Sequence, residues 1–279
     1  SLSANLKVTD WLTLQARGNL DHSADKLRQK FYASTATALC GMNGRYIEMD
    51  YQETQMYGDV MAMVKKQLND FTLDVAIGGS INDRITNSTR IDSKNASLKY
   101  ANVFNLANIV MSSSASIDQK IDAHYQLQSV FATAQIGYKE GVFLDLTARN
   151  DWSSTLAYTK YEKKGFFYPS VGVSFLPDKW VKMPEWVSFS KLRGAYSIVG
   201  NGVPPFITYP VSYVTAGGEI LASDAAPFAE MKPEMTHSVE LGMEWKFLQH
   251  RLGLNLTYYR TDTYEQFFKL PALAGDKYA

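Results

Sequence analysis

Apolar and polar residues alternate with period two in five clear segments of this chain, which restricts them to β-strands with one oily face and one wet face. In residues 11–21, Leu12, Leu14, Ala16, Gly18 and Leu20 oppose Thr13, Gln15, Arg17, Asn19 and Asp21. In residues 71–82, Phe71, Leu73, Val75, Ile77, Gly79 and Ile81 oppose Thr72, Asp74, Ala76, Gly78, Ser80 and Asn82. Val142, Leu144, Leu146 and Ala148 stand against Asp145, Thr147 and Arg149. The same split recurs in Met235–Phe247 and Leu252–Tyr258, with weaker copies near 52–66, 121–138, 165–176 and 188–199. No segment reads as a long amphipathic helix; Ala24–Ala38 is at most a short helix inside a loop.

The connections carry the next constraint. Tight turns are expected at Thr9-Asp10, Leu68-Asn69-Asp70, Lys139-Glu140-Gly141 and Leu248-Gln249-His250, and a modest connection at 177–187. Long loops are expected at 23–51, 83–120, 150–164 and 200–234. Short and long connections therefore alternate along some ten strands. A soluble sandwich has no reason to keep that order, whereas an outer-membrane barrel has short periplasmic turns and long outer loops. The expected fold is all-β: an antiparallel, up-and-down transmembrane β-barrel segment of about ten strands in a meander.

Energetics agree with that reading. Val142 to Trp152 has the length of about 9–11 residues that a tilted strand needs to cross a bilayer. A Lys or Arg on the lipid face near the midplane costs about 2–4 kcal/mol. The apolar parity of the clear segments carries no charge, while the other parity carries Arg17, Asp21, Asp74, Asp145, Arg149, Glu240 and Glu244. A soluble one-sided sheet gives the same split, so the loop order decides. Trp152 lies at a long-loop end and Trp245 and Tyr138 lie beside tight turns, where aromatic girdles sit. Mean hydropathy of −0.22 does not count against a barrel, because only alternate residues of each strand face lipid.

Chemistry is sparse. Lys plus Arg equals Asp plus Glu at 28 each, so no net field favours nucleic acid. Cys40 is the single cysteine, which rules out an internal disulfide; it reads as a loop thiol. His22, His124, His237 and His250 lack ligand spacing, and no phosphate-binding loop, dinucleotide fingerprint or nucleophile elbow occurs. Asp145 and Arg149 read as members of a lumenal ion-pair network rather than as a catalytic pair. Asn87-Ser88-Thr89 and Asn95-Ala96-Ser97 match the glycosylation pattern by chance. The expectation is no enzyme, with no catalytic, cofactor-binding or metal residues.

Several stretches, read as wording, carry a resemblance. "FLDLTARNDWSSTL" with "GFFYPSVGVSFL", then "KLRGAYSIVGN", then "MKPEMTHSVELGMEWKFLQHRLGLNLTYYRTDTYEQFF" resemble blocks of SusC/RagA-type TonB-linked outer-membrane transporters. "SVFATAQIGYKEGVF" and "NVFNLAN" fit as well, and the match covers roughly residues 96–270. The resemblance implies a plugged barrel of the roughly 22-stranded kind. It implies a Gram-negative outer membrane and import of glycans or oligopeptides with a SusD-like lipoprotein lid and the TonB complex. Residues 1–279 are then one partial barrel domain, without plug, TonB box or signal peptide. Ligand-contact residues are not assigned by it. By position, loops 23–51, 83–120 and 200–234 are the contributors, and "NGVPPFITYPVSYV" (201–214) is either a sugar-stacking platform or, the favoured reading, a packed loop. The alternatives are a complete small outer-membrane barrel for anchoring or adhesion and a soluble carbohydrate-binding β-sandwich.

Overall fold

The computed structural model describes residues 1–94, 98–110, 116–214, 220–223 and 226–268. Its strands are β1 (Leu2–Lys7), β2 (Leu12–Phe31), β3 (Arg45–Leu68), β4 (Phe71–Asp92), β5 (Ser116–Tyr138) and β6 (Val142–Ser153). They continue with β7 (Phe166–Phe175), β8 (Val187–Asn201), β9 (Tyr213–Val214), β10 (Ile220–Leu221), β11 (Glu234–Phe247) and β12 (Leu252–Tyr264). Among the described residues ten strands form one antiparallel sheet in the order β1-β2-β3-β4-β5-β6-β7-β8-β11-β12, and β9 and β10 form a small separate hairpin. This is the meander that the alternation and loop order call for. It is not a sandwich: the accessible area is 18386 Å², against about 12000 Å² for a compact protein of this mass.

Register makes the two faces explicit. Ala16, Val60, Gly79, Val130 and Asn150 are successive cross-strand partners from β2 to β6. One residue along, Arg17, Asp59, Ser80, Ser129 and Asp151 form the next row, on the opposite face. The apolar row stays exposed, with Val60 at 63% and Val130 at 54%, because no second layer covers it. Lipid is the medium that such a face fits.

The apolar band ends at one level. On β4 it runs from Phe71 to Ile81 and is followed on the same face by Asp83. On β2 it ends at Leu20, before His22, and on β3 at Met56, before Thr54. At that level His22 Nδ1 lies 2.9 Å from the Thr54 hydroxyl and His124 Nε2 lies 2.9 Å from Asp83. Aromatics mark the other end. Four of the five tryptophans, Trp11, Trp180, Trp186 and Trp245, stand at the tight-turn side. Tyr138 contacts Phe71 (4.7 Å between centroids) and Trp180 (5.5 Å), and Trp186 stacks on Phe247 (5.6 Å). Lys66 lies over Trp11, Lys139 over Tyr138 and Lys246 over Phe189, so cations lean from the aromatic belt toward water. Trp152 ends its strand opposite Gln128, at the long-loop side.

The strands are longer than the alternation indicates. The expected loop 23–51 shrinks to 32–44, and Ala24–Phe31, read as the start of a short helix, is strand. The expected loop 83–120 gives up Asp83–Asp92 to β4 and Ser116–Lys120 to β5. Loop 150–164 becomes 154–165, and loop 200–234 becomes 202–233. The physical reason is common to all four. Beyond the lipid both faces meet water, so the period-two hydrophobic code stops while backbone pairing continues. From Met56 to Arg45 the wall rises by roughly 35 Å of strand length beyond the band.

Candidate functional site

Among the described residues the buried apolar side chains gather in two bodies at the long-loop end. The first joins loop 32–44 to residues 98–110. Tyr46, Leu98 and Ile109 are buried, with Ile91 and Phe104 packed against them. Tyr46 and Ile91 share the parity of Met56 and Ile81, so this loop folds over the outward face of the strand tips. Phe104 meets Tyr32 edge-on at 5.0 Å, and Lys30 lies over its ring. Asn108, almost fully buried, spends its amide on the carbonyls of Tyr100 (2.8 Å) and Val103 (2.7 Å) and accepts from the Tyr100 amide (2.9 Å). The Asn105 side chain accepts from the Asn108 amide, closing the short 3-10 turn between them. Asn43 ties the two loops together through the Leu98 carbonyl (2.8 Å), and Asn102 does so through the Ala33 amide (2.7 Å).

An ion network holds the strand tips under this body. Arg45 donates to Asp92 from Nε (2.8 Å) and Nη2 (2.7 Å), Arg90 donates at 2.7 Å, and the Lys94 amide donates at 2.9 Å. The Asp92 side chain is 2% exposed. On the outward face Lys26 pairs with Glu48 and Asp50 across β2 and β3. Hydrogen bonds from Tyr46 and Lys26 hold the Glu48 carboxyl down at about 2. The Tyr46 hydroxyl is pushed up, by burial first and then by Glu48.

The second body joins residues 154–165 to residues 202–209 and 226–233. Leu156, Phe166, Val203 and Met231 are buried, with Tyr161, Tyr168 and Ile207 against them. Thr208 Oγ1 donates to the Ala157 carbonyl (3.0 Å), the Lys160 amide donates to the Ala229 carbonyl (3.0 Å), and Lys160 pairs with Glu230. Two tyrosines stand out from this packed base. Tyr158 and Tyr209 are 72% and 54% exposed, with ring centroids 4.9 Å apart.

Between the two bodies and the tight turns runs the wet face of the wall. Arg17 grips Asp59 through Nε (3.0 and 3.1 Å) and Nη2 (3.0 Å), and the Asp59 side chain is fully buried. Arg149 donates to Asp151 (2.7 Å) and Ser129 (2.8 Å), Asp145 accepts from Gln135 (2.7 Å), and Arg193 pairs with Glu240 and Thr257. Arg17, Arg149 and Arg193 are thus each paired with a carboxylate on the same face, while Asp145 is held by an amide, as suits a polar lumenal wall.

The sequence candidates fall as follows. Arg149 joins the lumenal ion pairs through Asp151, whereas Asp145 accepts from the Gln135 amide and is in none of the ion pairs found among the described residues. The four histidines lie apart: His22 on β2, His124 on β5, His237 with the Tyr196 hydroxyl (2.8 Å) on β11, and His250 in the last tight turn. Among the described residues no group of three His, Cys, Asp or Glu could hold a metal. Cys40 is buried in loop 32–44, its Sγ toward the Tyr32 and Thr35 carbonyls. Asn87–Thr89 lies within β4, and Asn95–Ser97 lies outside the described residues. Of 201–214, Val203 and Thr208 are packed as expected, but Tyr209 is exposed. Tyr158 was missed, because a single aromatic in a polar loop carries no periodic signal. The Asn105/Asn108 spacing was a legible cap that the sequence reading passed over.

Known proteins place this architecture. A family model described as TonB dependent receptor-like, beta-barrel, matches residues 1–277. TonB-dependent receptor P3 of Formosa agariphila is 26% identical over 156 residues, 52% of this chain and 15% of that protein. The RagAB peptide transporter superimposes with a TM-score of 0.76 at 18% identity, over 97% of this chain and 30% of that one. FpvA of P. aeruginosa, bound to a heterologous pyoverdine, gives a TM-score of 0.56 at 12% identity, over 94% of this chain and 32% of that one. At these identities the structures establish the fold. The chain spans only about a third of the solved chains it matches, and less of the curated relative. TonB-dependent receptor barrels are transporters of the Gram-negative outer membrane, not enzymes. An outward apolar band, a paired lumenal face and built-up outer loops are what that setting demands, and with the family match over residues 1–277 they make this chain a member of the TonB-dependent receptor β-barrel family.

Proposed function

We propose that residues 1–279 are a partial barrel domain of a longer importer that carries glycans or oligopeptides across the outer membrane, working with a SusD-like lipoprotein lid and the TonB complex. The observation that carries this reading is the pairing of a neutralised polar wall with two braced loop bodies on the outer side. A polar inner face is common to membrane barrels, but a barrel that only anchors has no need of outer loops built into packed bodies, whereas one that passes cargo needs preorganised outer contacts. The likeness to the RagAB peptide transporter favours the same reading at the level of architecture.

The test is uptake by whole cells. Deleting the gene is expected to abolish accumulation of at least one fluorescently labelled oligosaccharide or peptide, and deleting the TonB gene is expected to abolish accumulation of the same compound. Unchanged uptake of both labelled pools in the two deletion strains would sink the importer reading.

A further inference from the structure

On β2 the charges above the lipid band are sorted by face. Leu20 is the last apolar residue of the outward row before the band ends, and His22, Ala24, Lys26, Arg28 and Lys30 continue that row. Asp21 and Asp25 lie on the lumenal parity, where this stretch carries no cation. Across the outward face, β3 sets Asp50 opposite Lys26, Glu48 opposite Arg28 and Tyr46 opposite Lys30. The next outward row, Ile85, Asn87, Thr89 and Ile91 on β4, is uncharged. Three cations therefore meet two carboxylates on this part of the outward face.

Those carboxylates steady the row without covering it. Glu48 pairs with Lys26 Nζ (2.9 Å) and Arg28 Nη2 (3.5 Å) and accepts from the Tyr46 hydroxyl, and Asp50 takes Lys26 at 3.3 Å. The Lys26 and Arg28 side chains stay 47% and 56% exposed. Lys30 pairs with no carboxylate among the described residues and lies over the Phe104 ring, under the first loop body. That body adds a roof and no acid: residues 32–44 and 98–110 contain no Asp or Glu and a single cation, Lys99. Height then decides what the row meets. Lys26 to Lys30 stand about 20–33 Å of strand beyond Leu20, or about 15–25 Å along the membrane normal at the usual barrel tilt. Outside a barrel of the Gram-negative outer membrane, that height is filled by the hydrated sugars and phosphates of the outer-leaflet glycolipid. Lys and Arg set at such an anionic layer are attracted to it over a Debye length.

We propose that Lys26, Arg28 and Lys30 form an outward docking row for the phosphorylated core of the outer-leaflet glycolipid, fastening loop 32–44 and its strand tips to the membrane surface. The row lies outside the wall, so its role is independent of what the importer carries. The experiment reconstitutes the full-length protein in phosphatidylcholine bilayers containing a small fraction of spin-labelled rough-type lipopolysaccharide, which keeps its phosphorylated core. The readout is the motionally restricted share of the label. A preference of at least about fivefold over spin-labelled phosphatidylcholine is expected at low salt, fading as salt rises. The same glycolipid stripped of phosphate is expected to lose most of it. Lys26→Gln with Arg28→Gln and Lys30→Gln is expected to bring the preference to within about twofold of phosphatidylcholine. Asp50→Asn, at a half-exposed carboxylate, is expected to strengthen it, a direction that a merely structural row would not give. Lys26→Arg with Lys30→Arg is expected to keep it. The proposal is overturned if the triple glutamine variant, with its unheated gel mobility intact, keeps the parent preference, or if the phosphate-free glycolipid associates equally well. Weaker association in Asp50→Asn would also overturn it. No preference in the parent, with a changed oligomeric state in the triple variant, would give the row to a second copy of the chain and overturn it as well.

Discussion

Replacing Leu146 by Arg keeps the barrel from assembling in the outer membrane, whereas replacing its neighbour Thr147 by Arg leaves assembly intact. The two positions share one strand and one depth, near the middle of Val142–Trp152, and differ only in face. Leu146 pairs across to Ala134 and Val171 on the exposed apolar side. Thr147 pairs to Thr133 and Ser170 on the lumenal side, beside a wall that already holds Arg149 and Asp145. A guanidinium against lipid near the midplane costs about 2–4 kcal/mol, a large share of the stability of most folded chains. Against water and carboxylates the same group costs about 0.5 kcal/mol or less. The readout is the fraction of full-length protein that resists urea extraction from outer membranes and keeps its unheated gel mobility. A near-complete loss is expected for Leu146→Arg and little change for Thr147→Arg; equal behaviour of the two would contradict the face assignment.

Asp92→Asn is expected to loosen the outer tips of β3 and β4 and free the loop body above them, without disturbing the membrane band. Asp92 is the acceptor for Arg45, Arg90 and the Lys94 amide, and its neighbour Ser93 accepts from the Tyr46 amide (2.9 Å). Removing one partner of a fully buried ion pair costs about 3–5 kcal/mol. The Arg45 and Arg90 side chains are 23% and 37% exposed, so water takes up part of the loss and about 2 kcal/mol is expected. Hydrogen exchange should speed up at residues 45–48, 90–94 and 98–110 and stay slow at 56–66. Acid gives an independent check. Burial pushes the Asp92 carboxyl up, but Arg45, the Lys94 amide and Arg90 outweigh it and hold the group below its ordinary value. Glu48 is held at about 2. Both are depressed in the folded state, so their stabilisation is complete above the unfolded carboxylate range near pH 4 and is lost as pH falls through the folded values. The tips should therefore open between about pH 4 and pH 2, and Asp92→Asn should flatten that dependence. Tips that stay protected in the variant at neutral pH would refute this role for Asp92.

How far the sequence spoke depended on what surrounds each residue. Within the bilayer every second residue of Phe71–Ile81 must be apolar, so the strand, its faces and the length of its membrane-crossing part were legible. Above Ile81 the chain of cross-strand pairs continues through Arg84 and Arg90, but water on both sides removes the pattern, and Asp83–Asp92 read as loop. The tight turns were legible from their polar residues, although Lys139, Glu140, Gln249 and His250 take the left-handed conformation with side chains that do not announce it. The candidate site was less legible for the same reason as the tips. Asp92, Asn108 and Tyr158 gain their meaning from partners such as Arg45, Tyr100 and Tyr209, tens of residues away or reached through loop packing, and no local spacing records those contacts.

The central claim is that this sheet is a membrane wall with a lipid-facing band of fixed height. The measurement that reaches it most directly is a spin-label scan of β4 in full-length protein reconstituted into bilayers, with Cys40→Ser as background. Single cysteines from Leu73 to Ile91 would be read for relaxation by oxygen, which dissolves in lipid, and by a nickel chelate, which stays in water. The expected result is oxygen contact at Leu73, Val75, Ile77, Gly79 and Ile81, no such contact at the intervening positions, and a change to nickel contact at Asp83 that persists at Ile85. Oxygen contact of equal strength on both parities, or contact continuing through Ile85 and Ile91, would contradict it.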